Sequence, residues 1–148
     1  MRLYTIGYTK KSLETFITHL REAGVDAVID IRLRNTSQLA GFSKRDDLAF
    51  LLREGFGIAY EHRPELAPTP DILVAYQQDG DWPAYERAFI PLLEERAAEA
   101  VGEQLLTTYQ RPILLCAEPT PDHCHRRLVA EYLAAKLPDQ EIEIVHLT

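Results

Sequence analysis

"VDAVIDIR", residues 25–32, is a nearly continuous apolar run that ends on Asp30, Ile31 and Arg32. A run without polar alternation suits a β-strand covered on both faces, as in parallel sheets. Working outward from it, the chain alternates strand and helix. "LYTIGY" (3–8) reads as a strand closed by a glycine turn. "SLETFITHLREAG" follows, with Leu13, Phe16, Ile17 and Leu20 at helical spacing, Ser12 as N-cap and Gly24 as stop. On the other side, "LRNTSQLAGFSK" reads as a loop. "RDDLAFLLREGFG" predicts a helix ending at Gly55 or Gly57, and "IAYEH" a short strand.

Residues 63–83 hold Pro64, Pro68, Pro70 and Pro83, which predicts an excursion around one short helix, "DILVAYQQ". Tyr85 to Thr108 predicts one long helix bent at Pro91. "PILLC" is another buried strand. "HCHRRLVAEYLAAKL" is the next helix, with Asp122 as its N-cap, and "IEIVHL" is a last strand. The expected architecture is a single α/β domain over residues 1–148. It has three layers, with a mostly parallel sheet of about five strands flanked by helices.

The chain of 148 residues is 46% apolar and 26% charged, which suits one hydrophobic core in water. It has no apolar run of about 18 residues, so no membrane span is expected. "MRLYTIGYT" lacks the features of a secretory signal, which points to the cytoplasm. Two cysteines in that compartment are expected to be thiols. A net charge of -7 argues against broad, non-specific nucleic-acid binding, but a cleft can still be locally basic.

Ligands of parallel α/β sheets sit beyond the carboxyl ends of the strands. Four strand ends here carry "GYT", "DIR", "YEH" and "CAE", and all are polar or reactive. Gly7, Tyr8, Thr9, Asp30, Arg32 and His62 are therefore candidate ligand-binding residues. "LLCAEPTPDHCHRR" (114–127) adds the densest reactive cluster. Cys116 ends its strand, and Glu118 projects as a candidate general base. Cys124, in the first helical turn beside Arg126 and Arg127, is the expected nucleophile, because free amides and cations lower a thiol's pKa. Arg126 joins Arg32 as a candidate anion holder, although Asp30 could instead hold Arg32 in a structural ion pair. His123 and His125 point in different directions, so only one is expected to face inward.

These residues suggest a small enzyme that binds an anionic small molecule or a nucleic-acid fragment, with Cys116, Glu118 and Cys124 supplying chemistry. A non-catalytic anion-binding module is the first alternative. A metal or thiol redox sensor is the second. Cys116, Cys124, His62 and one of His123 or His125 could make four zinc ligands. Their spacing matches no standard finger, so no metal site is assigned and no cofactor is named.

The chain resembles the family catalogued as domain of unknown function 488. The resemblance rests on "TIGYTKKSLETFI", "VIDIRLRNTSQLAGFSKRDDL", "IAYEHRPELAPT" and "LLCAEPTPDHCHRRLVAEYL". It implies a compact α/β domain with a cleft built from those motifs, and no established reaction. Many members carry a proline and then Ser-Arg after the Asp-x-Arg. Here Asn35 and Gln38 stand in that region; if that arginine holds an anion in other members, Gln38 weakens the pocket here.

Overall fold

The computed structural model describes all 148 residues. Its sheet has five strands, all parallel, in the order β3-β2-β4-β1-β5. They are β1 (Arg2–Gly7), β2 (Ala27–Asp30), β3 (Ala59–His62), β4 (Pro112–Cys116) and β5 (Glu143–His146). The helices are α1 (Leu13–Ala23), α2 (Arg45–Phe56), α3 (Pro70–Asp79), α4 (Trp82–Glu95), α5 (Ala98–Thr108) and α6 (His125–Lys136).

The apolar strands divide their side chains by the two-residue period of a pleated sheet. On one face Tyr4, Ile6, Val28, Ile113 and Leu115 pack with Phe16, Ile17 and Leu20 of α1 and Leu48 and Leu52 of α2. On the other, Leu3, Ala27, Ile29, Leu114 and Cys116 pack under α4, α5 and α6. Both faces are buried, so the central strands could not show an apolar–polar alternation. Ser12 caps α1, its hydroxyl accepting from the Thr15 amide at 3.1 Å. α2 ends at Gly57, whose φ of 65° only glycine adopts readily.

Two expectations need correction. The long helix from Tyr85 to Thr108 is two helices, and the break is not at Pro91. Pro91 lies inside α4 on an exposed position, where water can satisfy the carbonyl it leaves free. The chain breaks instead at Ala97, with φ 52°. Arg96 fixes this corner by donating to the Glu65 carbonyl at 2.9 Å and the Ala67 carbonyl at 2.6 Å. The second correction concerns α6. Its N-cap is Cys124, not Asp122. The Cys124 amide closes a turn onto the Pro121 carbonyl at 3.2 Å, which delays the helix by two residues. The loop at 33–44 also contains a short 3₁₀ segment, Gln38–Ser43.

Topology makes the cleft. The chain leaves β1 and β2 toward the face covered by α1 and α2, but leaves β4 toward the face covered by α6. The loop after β4 therefore parts from its neighbours only after a short paired stretch. Past the strands, β1 and β4 stay zipped: the Tyr8 amide donates to the Cys116 carbonyl and the Thr9 amide to the Ala117 carbonyl, both at 3.1 Å. At Gly7 the two segments touch. A Cβ there would land on the Glu118 carbonyl oxygen and come within 2.7 Å of Arg126 Nη1. Gly7→Ala must displace backbone, so it should destabilise the fold by about 1–3 kcal/mol. Urea denaturation of the variant beside the parent checks this; an unchanged midpoint would contradict the packing at Gly7.

Candidate functional site

A cavity of about 260 Å³ opens at the carboxyl end of β4. Of the residues singled out from sequence, Tyr8, Arg32, Cys116, Glu118, His123, Cys124 and His125 line it. Gly7, Thr9, Asp30, His62 and Arg126 are not in its wall; they hold the wall from behind. Thr9 donates through its hydroxyl to the Ala117 carbonyl at 2.6 Å, and a His62 ring nitrogen bonds the Arg32 carbonyl at 2.9 Å.

Asp30 and Arg32 form a buried ion pair, with side chains 0% and 4% exposed. Arg32 Nε and Nη2 each donate to the Asp30 carboxylate at 2.8 Å. Its remaining contacts go to Ser43, through Nη2 to the carbonyl at 2.7 Å and Nη1 to the hydroxyl at 3.2 Å. Four of the five guanidinium N–H groups are thereby committed. Asp30 also accepts from Asn35 at 3.0 Å and from the Tyr60 hydroxyl. Asn35 is thus a buried member of this network. Burial alone would raise the Asp30 carboxyl, but the bonds and charge of Arg32, then Tyr60 and Asn35, hold it below the usual carboxylate range. Burial and the Asp30 charge push the Tyr60 hydroxyl up.

Arg126 is likewise fully buried, at 0% exposure. Its Nε donates to Thr5 Oγ1 at 3.1 Å, Nη1 to the Glu118 carbonyl and Nη2 to the Pro119 carbonyl at 3.5 Å. None of these partners is charged. Arg126 therefore clamps the loop after β4 and places a positive charge behind Cys116.

At the floor of the cavity His125 meets Cys116. His125 Nε2 lies 2.6 Å from the Ile31 carbonyl, which can only accept, so Nε2 carries the proton. Nδ1 then presents its lone pair to Cys116 Sγ at 3.2 Å. Phe89 packs edge-on against the imidazole, with ring centroids 5.6 Å apart. His125 is buried at the cavity floor, and His123, although exposed, also lines the cavity, where it stacks on Trp82 at 5.3 Å.

The premises for Cys124 as nucleophile are not met. At the N-cap it is 2% exposed, and its thiol makes no capping bond to the helix amides. The neighbouring Cys116 sulfur, burial and the negative charge of a Cys116 thiolate push its thiol well up. Cys116 goes the other way. Burial would raise it, but the Cys124 thiol, the Ala117 amide, Arg126 and the Glu118 amide together hold it below the ordinary thiol value.

The aromatic wall was not legible from sequence. Trp82 stacks on Tyr85 at 4.7 Å and 15°, and Tyr76 meets both edge-on at 5.5 Å. These rings, with Leu73 and Pro68, come from the proline-rich excursion between β3 and β4. The available signal was that excursion itself: a long insertion rich in Tyr and Trp, inside an otherwise regular strand–helix alternation. The Trp82 indole N–H is buried without an acceptor, a cost of about 1–3 kcal/mol.

A family model described as "Domain of unknown function DUF488" matches residues 12–133. The chain belongs to this family. No curated protein and no solved structure matches it. The region matched to DUF488 runs from the N-cap of α1 into α6. It includes Asp30, Arg32, the aromatic wall, both cysteines and His125. Gly7, Tyr8 and Thr9 lie outside it. No helix of this DUF488 domain is long and apolar enough to cross a membrane.

Two outcomes are expected. Arg32→Ala leaves Asp30 buried without its cation, so it should lower unfolding free energy by about 3–5 kcal/mol in denaturant titrations at pH 7. Because the Asp30 pKa is depressed on folding, the stability it supplies is fully present above about pH 3.9. It is lost as the pH falls from there through the folded value. A variant as stable as the parent would reject the ion pair. Alkylation by iodoacetamide, located by peptide mapping, should fall on Cys116 before Cys124. Its rate should reach half-maximum below the ordinary thiol value of about 8.5. Labelling that starts on Cys124 would contradict the arrangement of the two thiols.

Proposed function

We propose that this protein is an enzyme in which Cys116 attacks an electrophilic carbon of a small bound ligand. His125 Nδ1 takes the thiol proton, and the Ile31 carbonyl holds the imidazole in the tautomer that this requires. The carrying observation is the 3.2 Å approach of His125 Nδ1 to Cys116 Sγ at the floor of an open cavity. Arg126 supplies the positive charge that favours thiolate over thiol, and the neighbouring Cys124 thiol favours it in the same direction. Glu118, exposed at the cavity wall, is placed to exchange protons with a leaving group.

Cavity size and wall chemistry narrow the ligand. About 260 Å³ is below the usual range for drug-sized ligands, about 300–1,000 Å³, so the pocket suits one ring and a short substituent better than a polymer. Tyr8, Tyr76, Trp82 and Tyr85 favour a planar ring. An anionic substituent would meet Arg34, an exposed wall residue, and the one uncommitted N–H of Arg32. A small aromatic anion therefore fits better than a nucleic-acid strand, in keeping with the net charge of -7.

A panel of small aromatic electrophiles followed by intact-protein mass tests this. Adducts should form on Cys116 and vanish in Cys116→Ala. His125→Ala should slow them by about 10²–10⁴-fold, the usual contribution of a positioned base. Circular dichroism should confirm that both variants are folded. Equal adduct rates with and without His125 would leave a binding module with inert thiols as the better reading.

A further inference from the structure

The groups that serve the nucleophilic reading at the floor of the cavity also have a second arrangement, which does not depend on that reading. Cys116 Sγ, Cys124 Sγ and a His125 ring nitrogen all lie within 4.8 Å of one another. All three residues are buried, and all three line the cavity. We propose that they form a three-ligand site for a thiophilic divalent cation of the zinc type, with the fourth position open to the cavity.

The geometry is near what the cation requires. Zinc binds sulfur at about 2.3 Å and imidazole nitrogen at about 2.0–2.1 Å, so tetrahedral ligands sit roughly 3.6–3.8 Å apart. Cys116 Sγ and His125 Nδ1 are already 3.2 Å apart, so a small outward shift admits the ion. The nitrogen that faces the sulfurs is also the correct one. His125 Nε2 is occupied by the Ile31 carbonyl at 2.6 Å, the outer-sphere bond that metal-binding histidines commonly make, and Nδ1 is free. Charge balances as well. On binding, the two thiols release two protons to solvent, and two thiolates with a neutral imidazole bring the buried site to zero net charge. That matters beside the buried Arg126 cation, because a site with surplus positive charge would be repelled.

The four-ligand set considered from sequence reduces to three. His62 bonds the Arg32 carbonyl, and His123 stacks on Trp82 at the cavity wall, outside the close cluster of ligand atoms. With three protein ligands the fourth position belongs to water or to an anionic atom of a cavity ligand, which is the pattern of open zinc sites rather than closed structural ones. A bound cation would also mask Cys116, so the metal-loaded and thiol-reactive forms are two states of one site.

The test uses the full chain, freed of metal by chelator and then titrated with Zn²⁺ against a chromophoric chelator, and separately with Co²⁺. One equivalent should bind. The cobalt form should show thiolate-to-metal charge transfer and the strong visible bands of tetrahedral geometry. Cys124→Ser keeps a hydroxyl donor beside Cys116 but removes a soft ligand, and should weaken binding by about tenfold or more; His125→Ala should do likewise. Zinc should protect Cys116 from iodoacetamide in the parent, and fail to do so in Cys124→Ser at the same concentration. Absence of a thiolate–cobalt band, or equal zinc affinity in parent and Cys124→Ser, would overturn the site. Labelling in excess chelator keeps the two readings separate. If Cys116 reacts there but zinc does not bind, the metal site falls and the nucleophile stands. If zinc binds through the thiols but Cys116 stays inert in chelator, the metal site stands and the nucleophile falls.

Discussion

A buried arginine without a carboxylate organises this molecule. Arg126 carries a full positive charge at 0% exposure, and its partners are one hydroxyl and two backbone carbonyls. Removing such a charge from water costs several kcal/mol, and neutral acceptors recover only part of it. Its consequences extend outward. The loop after β4 must fold back so that the Glu118 and Pro119 carbonyls reach the guanidinium. Gly7 must lack a Cβ, because that loop and Arg126 pass where one would stand. Nearby ionisable groups respond in the direction expected of an uncompensated cation. Burial and then Arg126 lower Lys11 and His146, while Arg126 helps to lower Cys116.

The second charged network has the opposite character. Asp30 and Arg32 neutralise each other, and Asn35, Tyr60 and Ser43 satisfy most of what remains. This network is a frame: it fixes the end of β2 and aims the Ile31 carbonyl at His125. Arg32 also lies over the Tyr8 ring at 5.2 Å, which ties the β1 and β2 loops together across the cavity. One paired arginine therefore builds the wall, and one unpaired arginine sets its potential. Two arginines that look alike in sequence separate into these roles only by what lies within reach of each.

The cavity takes its remaining wall from the excursion between β3 and β4. α3 is an exposed, weakly packed helix with no buried residue, yet it delivers Leu73 and Tyr76 to the cavity. Trp82 and Tyr85 come from the first turn of α4, close to the cap at Asp81. The sheet supplies reactive groups on rigid strand ends, and the excursion supplies ring surface. Such a division lets wall chemistry vary without disturbing the strands that position Cys116 and His125.

The sequence by itself determined the parallel sheet, its five strands and the edge on which the reactive residues gather. Those features depend on local periodicity: continuous apolar runs such as 27–29 and 112–116 require cover on both faces, and alternation of strand with helix provides it. Caps at Ser12 and Gly57 are also local, resting on one side chain or one backbone angle. The tertiary structure decided which reactive groups work together. His125 finds the Ile31 carbonyl across 94 residues, and Arg126 finds Thr5 across 121. The start of α6 was settled by a turn at Pro121, and the corner at Ala97 by Arg96 reaching carbonyls of another segment. Charge state, tautomer and nucleophilicity follow from those long-range partners. A thiol's neighbours along the chain place it near the site, but the atoms that set its proton affinity arrive from distant positions.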